Sequence, residues 1–157
     1  MTKPNPYGLR PHEIFHLDLT ELRSGEDFVR VKKETKTGAR VAFPLHVEWV
    51  EEFDLRSLAL PDLETEGKSN GELGGKVSKA FNRFKIPFCP YDLRHSWARR
   101  SIGQLDPRTA ANSMGHSLEE HYETYNAWFT EKDDQKAFER YKNNPNRHRP
   151  SNTEVSE

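Results

Sequence analysis

The stretch YDLRHSWARRSI, residues 91–102, combines a helix signal with a run of side chains suited to chemistry. Pro90 precedes it, and proline interrupts any earlier helix while fitting the first turn of a new one. Asp92 is a favourable cap residue, so a helix is predicted from there to about the end of the stretch. Arg94 and His95 lie in its first half. Three residues are spaced to face inward: Leu93, Trp97 and Ile102.

Helical patterns continue on both sides of this stretch. Upstream, four apolar residues recur at the i, i+3, i+4, i+7 spacing of one buried helix face: Val77, Ala80, Phe81 and Phe84. Downstream, Pro107 begins a helix that Gly115 ends, and Ser117 caps another. Residues 131–142 predict a last, charged helix. Helices are therefore expected to dominate the second half of the chain.

A single hairpin is predicted closer to the N-terminus. Residues 28–31 alternate between apolar and polar side chains, and residues 41–43 form the return strand before a proline. Residues 28–44 therefore form a hairpin with Lys36 near its tip.

The remaining N-terminal half gives weaker signals. Pro11 begins a helix that continues through residues 12–17, and residues 46–55 carry a further helical pattern. Residues 61–75 are rich in Gly, Glu, Ser and Asn and predict a loop. The whole predicts a mainly α protein with a small antiparallel β-sheet, an α+β fold.

Composition excludes several classes of protein. The chain has 157 residues, 33% of them hydrophobic, which fits one domain. We expect that domain at residues 1–142, with a polar, disordered tail at residues 143–157. No apolar run is long enough to cross a membrane and the N-terminus has no secretory signal, so a cytoplasmic protein is expected. Cys89 is the single cysteine, which excludes an internal disulfide.

Charge is unevenly distributed although the net charge is only −1. Residues 76–116 hold eight Lys or Arg and two Asp, a surplus that could meet a polyanion. From charge alone, ordinary solvated helix faces are the favoured explanation of this block. The candidate DNA-binding residues in it are Lys76, Lys79, Arg83 and Arg99.

Five short motifs follow one another along the chain. They are residues 7–13 (YGLRPHE), residues 35–40 (TKTGAR) on the hairpin, residues 91–95 (YDLRH), residues 114–116 (MGH) and Tyr125. Each alone occurs by chance. Together, in order and in their loop, hairpin and helix contexts, they form a specific pattern.

The pattern resembles the catalytic domain of the tyrosine recombinases, or phage integrase family, over roughly residues 7–130. The family's order is Arg, Lys on a β-hairpin, His-x-x-Arg-His, Gly-His and Tyr. The resemblance implies the fold of the DNA breaking-rejoining enzymes. It also implies a site-specific recombinase that cleaves and rejoins DNA through a 3′-phosphotyrosyl intermediate, for integration or excision of a mobile element.

The resemblance also implies a role for each motif residue. Tyr125 is the nucleophile, and Arg10 and Arg94 bind non-bridging phosphate oxygens, which the planar guanidinium fork fits. Lys36 donates a proton to the leaving 5′-oxygen. His116 hydrogen-bonds a phosphate oxygen or positions the tyrosine.

Several residues compete with these assignments or stand beside them. Tyr122 is a second candidate nucleophile, and Lys32 and Lys33 are alternatives to the hairpin-tip lysine. Glu13 is expected to orient a neighbour or lie on the surface, and His95 to pack or hydrogen-bond inside the protein.

Two features depart from the family pattern. Tyr91 stands where the family has His; a tyrosine can donate a hydrogen bond but is a poor proton shuttle near neutral pH. Arg10 lies so near Met1 that the family's first helix and its separate core-binding domain are expected to be missing. The alternative reading is a catalytically inactive or weakly DNA-binding remnant, and a third is a topoisomerase-like nickase.

The partners and cofactors follow from the resemblance. We expect double-stranded DNA as ligand, a homo-tetramer on DNA, a monomer or weak dimer alone, and no membrane. Residues 127–142 are candidates for the contact between subunits. No cofactor is expected, and a metallohydrolase is rejected because His116 and His121 are five residues apart, not the i, i+4 pair of a helical metal site. We expect a bacterial or phage-derived protein that is associated with the nucleoid.

Overall fold

The computed structural model describes residues 5–32, 38–62 and 64–149. These residues form one antiparallel sheet in the order β1 (Leu17–Asp18), β2 (Val29–Val31), β3 (Arg40–Ala42). They also form seven α-helices: α1 (Thr20–Ser24), α2 (Glu48–Glu52), α3 (Asn70–Arg83), α4 (Pro90–Ser101), α5 (Pro107–Met114), α6 (Leu118–Tyr125) and α7 (Glu131–Asn143). The predicted mainly α architecture with a small antiparallel sheet is confirmed. Every helix in the described part of the chain is too short or too polar to span a membrane.

The predicted hairpin is present. Val29 pairs with Ala42 and Val31 with Arg40, so β2 and β3 run antiparallel. The predicted tip, with Lys36, lies outside the described residues.

The predicted helix after Pro11 is wrong in type and in its end. Pro11–His16 is a 3₁₀ helix, and Leu17 leaves it to pair with Val31 as the start of β1. Leu17 is buried in the apolar cluster on the sheet, and its pairing with Val31 takes it out of the helix.

Helix α3 begins inside the predicted loop 61–75. The Ser69 hydroxyl accepts a hydrogen bond from the Glu72 N–H at 3.3 Å, and the Glu72 carboxylate accepts one from the Ser69 N–H at 2.8 Å. This reciprocal capping box starts the helix despite three glycines in its first half. At the other end the helix stops before Phe84, whose ring is 69% exposed, so its predicted place in the core is wrong.

Helix α4 begins earlier than predicted. Cys89, not Asp92, is the cap residue, and the Asp92 carboxylate accepts a hydrogen bond from the Cys89 N–H at 2.8 Å. Two other predicted ends are confirmed: Gly115 ends α5 with φ +69°, and the Ser117 hydroxyl accepts the N–H of the third residue of α6 at 3.0 Å.

Two apolar clusters hold the structure together. The first lies on the sheet and contains Tyr7, Leu9, Leu17, Leu19, Leu22, Val29, Val31, Ala42, Val50 and Leu55. The second joins α4, α5 and α6 and contains Trp97, Ala98, Ala110, Met114 and Tyr125. The predicted core position of Trp97 is confirmed by its 3% exposure. The candidate nucleophile therefore lies within the second cluster.

Candidate active site

Two of the motif arginines meet at the C-terminal end of α5. Arg94 donates hydrogen bonds to the Gly8 carbonyl at 2.6 Å and to the Met114 carbonyl at 2.7 Å. Arg10 donates to the Gly115 carbonyl at 3.0 Å and reaches the same Met114 carbonyl at 3.5 Å. The last carbonyls of a helix lack intrahelical partners and carry partial negative charge, so they attract guanidinium groups. The helix end thereby places the two arginines side by side.

A third arginine, Arg40, joins them from β3. Its Nε donates to the Ser113 carbonyl at 3.0 Å, while its two terminal nitrogens bind the two Glu13 carboxylate oxygens at 2.9 and 2.7 Å. Arg10 binds the same carboxylate through its side chain at 3.1 Å and its backbone N–H at 2.7 Å. The fully buried carboxylate thus orients both arginines, the first of the two roles expected for Glu13.

The cluster carries a surplus of positive charge. Burial alone would raise the pKa of Glu13, but the hydrogen bonds and charge of Arg40, together with Arg10, hold that pKa below its usual value. Burial, then the neighbouring Arg10, lower the pKa of Arg94 to about 10, which leaves it charged at neutral pH. Among the described residues, three guanidinium groups therefore share one buried carboxylate.

His116 is neutral and hydrogen-bonded to an arginine. Its Nε2 lies 2.7 Å from an Arg94 nitrogen, and since guanidinium can only donate, this Nε2 accepts. The ring proton is then on Nδ1, which is buried and makes no hydrogen bond to the described residues. Burial and the charges of Arg94 and Arg10 lower the pKa of His116 to about 3. Its 3.9 Å contact with Glu120 is for that reason not an ion pair at neutral pH.

Tyr125 is the last residue of α6, and aromatic and imidazole rings surround its side chain. It is 1% exposed, and its ring centroid lies 5.0 Å from His121, 5.4 Å from Trp128 and 6.1 Å from His116, with the last ring stacked at 27°. Its hydroxyl is 3.1 Å from Nδ1 of His95. Burial raises the pKa of Tyr125, and the charges of the nearby arginines only partly oppose this. The phenol is therefore protonated at neutral pH.

The structure thus gathers Arg10, Arg94, His116 and Tyr125 at one place. Tyr91 is 45% exposed one helical turn before His95, with the two ring centroids 6.4 Å apart. Tyr122 is 40% exposed and packs on Phe129 instead, at 5.8 Å between centroids. Lys36 lies outside the described residues.

The predicted DNA-binding residues are all exposed. Lys76, Lys79 and Arg83 lie on one face of α3, since they are spaced i, i+3 and i+7. Arg99 projects from α4, and its guanidinium carbon lies 5.0 Å from the Trp128 ring centroid. They therefore form two exposed basic sites on different helices.

The motifs give no site role to three residues that the structure places there: Arg40, His121 and Trp128. Arg40 ends the hairpin motif, and its separation of 27 positions from Glu13 hides their pairing. Neither spacing nor periodicity signals this pairing, because the burial of the Arg40 side chain is known only from the fold. Among the described residues, no group of three or more His, Cys, Asp or Glu side chains is placed to hold a metal ion.

Two curated proteins from Nostoc sp. (strain PCC 7120 / SAG 25.82 / UTEX 2576) are similar to the chain. Excisase A is 38% identical over 138 residues, which cover 79% of this chain and 29% of the excisase. Excisase C is 36% identical over 144 residues, covering 84% of this chain and 29% of that protein. The chain is thus related to proteins named excisases and spans less than a third of their length.

A comparison with solved structures gave XerA recombinase, with a TM-score of 0.44 and 17% sequence identity, covering 88% of this chain and 54% of that one. No family model matches the chain.

Proposed function

We propose that the chain is the catalytic part of a tyrosine recombinase that cleaves and rejoins DNA strands through a 3′-phosphotyrosyl bond to Tyr125. One observation carries this: a buried tyrosine lies beside three guanidinium groups that, within the described part of the chain, converge on the buried Glu13 carboxylate. A surplus of buried positive charge favours an anionic ligand. The names of the two related excisases support recombination, with excision as the favoured direction.

Arg10 and Arg94 bind the phosphate that reacts. Arg94 uses three of its five N–H donors on Gly8, Met114 and His116, which fixes the plane of its guanidinium group. The remaining donors and the fixed charge suit the non-bridging oxygens, whose negative charge rises in the transition state. Because protein contacts hold the arginine in advance, little reorganisation is needed when the phosphate enters.

The proposed reaction exchanges one phosphodiester for another. The Tyr125 oxygen forms a bond to phosphorus, the bond from phosphorus to the 5′-oxygen breaks, and the phenol loses its proton. Lys36 donates a proton to the departing 5′-oxygen. His116 is neutral and offers a hydrogen bond to the phosphate from Nδ1. Attack by a 5′-hydroxyl on the phosphotyrosine reverses these steps, so rejoining needs no external energy source.

The partner is double-stranded DNA, bound through the basic residues of α3 and through Arg99. Assembly into a homo-tetramer on DNA is part of the proposal. Phe138 and Tyr141 support a subunit contact in α7, because both rings are more than half exposed on that helix.

Covalent trapping tests the proposal. A duplex pool is first enriched for binding to the chain at low salt, then prepared with a bridging 5′-phosphorothiolate, whose sulfur leaves without a proton. A Tyr125-dependent protein–DNA band on a denaturing gel is the expected result, lost in Tyr125→Phe and kept in the matched control Tyr122→Phe. Lys36→Ala is expected to block cleavage of ordinary DNA while sparing the sulfur substrate.

Two outcomes would contradict the proposal. DNA binding without any adduct would favour the inactive, DNA-binding alternative. An adduct that persists in Tyr125→Phe would exclude this tyrosine as the nucleophile.

A further inference from the structure

The Tyr125 hydroxyl has one hydrogen-bond partner among the described residues. This is Nδ1 of His95, at 3.1 Å. His95 lies on α4 next to Arg94, with its ring half-buried and its centroid 6.0 Å from that of Tyr125. The contact joins the atom proposed to attack phosphorus to a group that can take a proton.

We propose that His95 is the general base that removes the Tyr125 proton during strand cleavage and returns it during rejoining. The inference rests on the proposed function and goes beyond it by naming the proton acceptor. His95 is then a catalytic residue, because it touches the reacting oxygen.

The buried phenol needs such a base. Burial raises the pKa of Tyr125 above its ordinary value, so the reactive phenolate is scarce at neutral pH. Proton transfer to a neighbour as the new bond forms avoids a free phenolate. An acceptor within hydrogen-bond distance is the geometric requirement, and His95 meets it.

The other titratable rings nearby are placed differently. His116 stacks on the Tyr125 ring, and the nitrogen of His116 that can accept a proton is already bonded to Arg94 at 2.7 Å. His121 lies against the ring at 5.0 Å between centroids, and its buried Nδ1 has no hydrogen-bond partner among the described residues. Tyr91 carries a phenol, which is a poor acceptor near neutral pH. His95 is therefore the imidazole aimed at the hydroxyl.

The proton balance of the step is closed. The neutral imidazole has its proton on Nε2 and a lone pair on Nδ1. The Tyr125 oxygen bonds to phosphorus, its proton moves to Nδ1, and the 5′-oxygen departs with a proton from the separate acid. On rejoining, the phenolate leaving group takes the proton back from the imidazolium.

The tautomer can be measured in the free protein, independently of any reaction with DNA. Nitrogen-15 NMR of histidine-labelled protein distinguishes protonated from unprotonated ring nitrogens, and His95→Asn identifies the signals. The proposal predicts an unprotonated Nδ1 whose resonance shifts in Tyr125→Phe. A protonated Nδ1 that donates to the hydroxyl would overturn it.

Single-turnover adduct formation on the phosphorothiolate duplex tests the role in catalysis. Sulfur leaves without a proton, so the rate reports on activation of the nucleophile. His95→Ala is expected to lower the rate at least about 100-fold, the usual minimum for a general base. Added imidazole is expected to restore part of the His95→Ala rate, because a diffusible base can take the Tyr125 proton in place of the missing side chain.

Asparagine separates proton transfer from positioning. Its side-chain oxygen can occupy the place of Nδ1 and accept the hydrogen bond but cannot take the proton. His95→Asn is therefore expected to stay as slow as His95→Ala, while His148→Asn, an exposed control, keeps the wild-type rate. A His95→Asn rate near wild type would overturn the base role. Absence of any adduct in the wild-type protein would refute the proposed function itself, whatever the NMR result.

Discussion

Glu13→Gln tests the electrostatic reasoning most severely. The wild-type carboxylate is fully buried and accepts four hydrogen bonds at 2.7 to 3.1 Å, two from Arg40 and two from Arg10. The amide keeps the shape, but it has one accepting oxygen and turns an N–H₂ group toward a guanidinium group. It also removes the negative charge that offsets Arg10, Arg40 and Arg94. The buried guanidinium groups then lose the carboxylate that compensates their charge.

The magnitude follows from the burial. Breaking a buried ion pair by removing one partner costs about 3–5 kcal/mol. That is a large part of the roughly 5–15 kcal/mol by which a domain is stable. Urea unfolding at pH 7 measures the loss. The matched control is Glu21→Gln, which breaks the exposed Glu21–Arg30 pair and is expected to cost at most about 1 kcal/mol.

Acid gives a second readout with a definite sign. The pKa of Glu13 is lower in the folded protein than in the unfolded chain. Its ionisation therefore stabilises the fold at every pH above the pKa of the unfolded chain. That contribution is lost as the pH falls through the folded value. The difference in unfolding free energy between the wild type and Glu13→Gln should therefore become smaller below about pH 4.3, the ordinary pKa of Glu. A loss at pH 7 no larger than that of the control would refute the reasoning.

Three further predictions concern packing, protonation and DNA. Gly8→Ala should lower the unfolding free energy by at least about 2 kcal/mol, because Gly8 has φ +64° and a Cβ there would lie 2.9 Å from Trp97. The control Gly67→Ala has a similar φ of +71° but open space around the position, and should cost only about 1 kcal/mol. The pKa of His116 falls from 6.5 to about 3 on folding, so its contribution to stability is fully present above pH 6.5 and decreases by about 2 kcal/mol by pH 5. In urea titrations, the unfolding free energy of His116→Gln should therefore fall by about 2 kcal/mol less than that of the wild type between pH 6.5 and pH 5. For DNA, we consider replacement of Lys76, Lys79 and Arg83 together by Gln. In anisotropy titrations, the slope of log Kd against log salt concentration should then fall by up to about 2.7, at about 0.9 per lost phosphate contact.

Local signals predicted much of the fold. Gly115 and Ser117 mark helix ends through their own backbone and side-chain chemistry, and both ends are where the sequence puts them. The failures arise where a distant contact decides. Leu17 leaves its helical pattern because β2 offers a strand partner. Phe84 differs, because α3 ends one residue before it and its side chain is exposed.

The site shows the same division. Motif order named four residues that the structure gathers, Arg10, Arg94, His116 and Tyr125. Spacing could not show that Glu13 pairs with Arg40, because the two residues lie 27 positions apart and meet only in the folded chain. Spacing also could not predict that Nδ1 of His95 lies within hydrogen-bond distance of the Tyr125 hydroxyl on another helix.

Mapping the DNA-linked residue by mass spectrometry shows which side chain attacks the phosphate. The trapped adduct is digested with nuclease and protease, and the peptide that carries the nucleotide is sequenced. The chain has five tyrosines, so the assignment discriminates sharply. We expect the nucleotide on Tyr125 alone. A nucleotide on Tyr91 or Tyr122, or on a residue that is not tyrosine, would contradict the proposed role of Tyr125 as nucleophile.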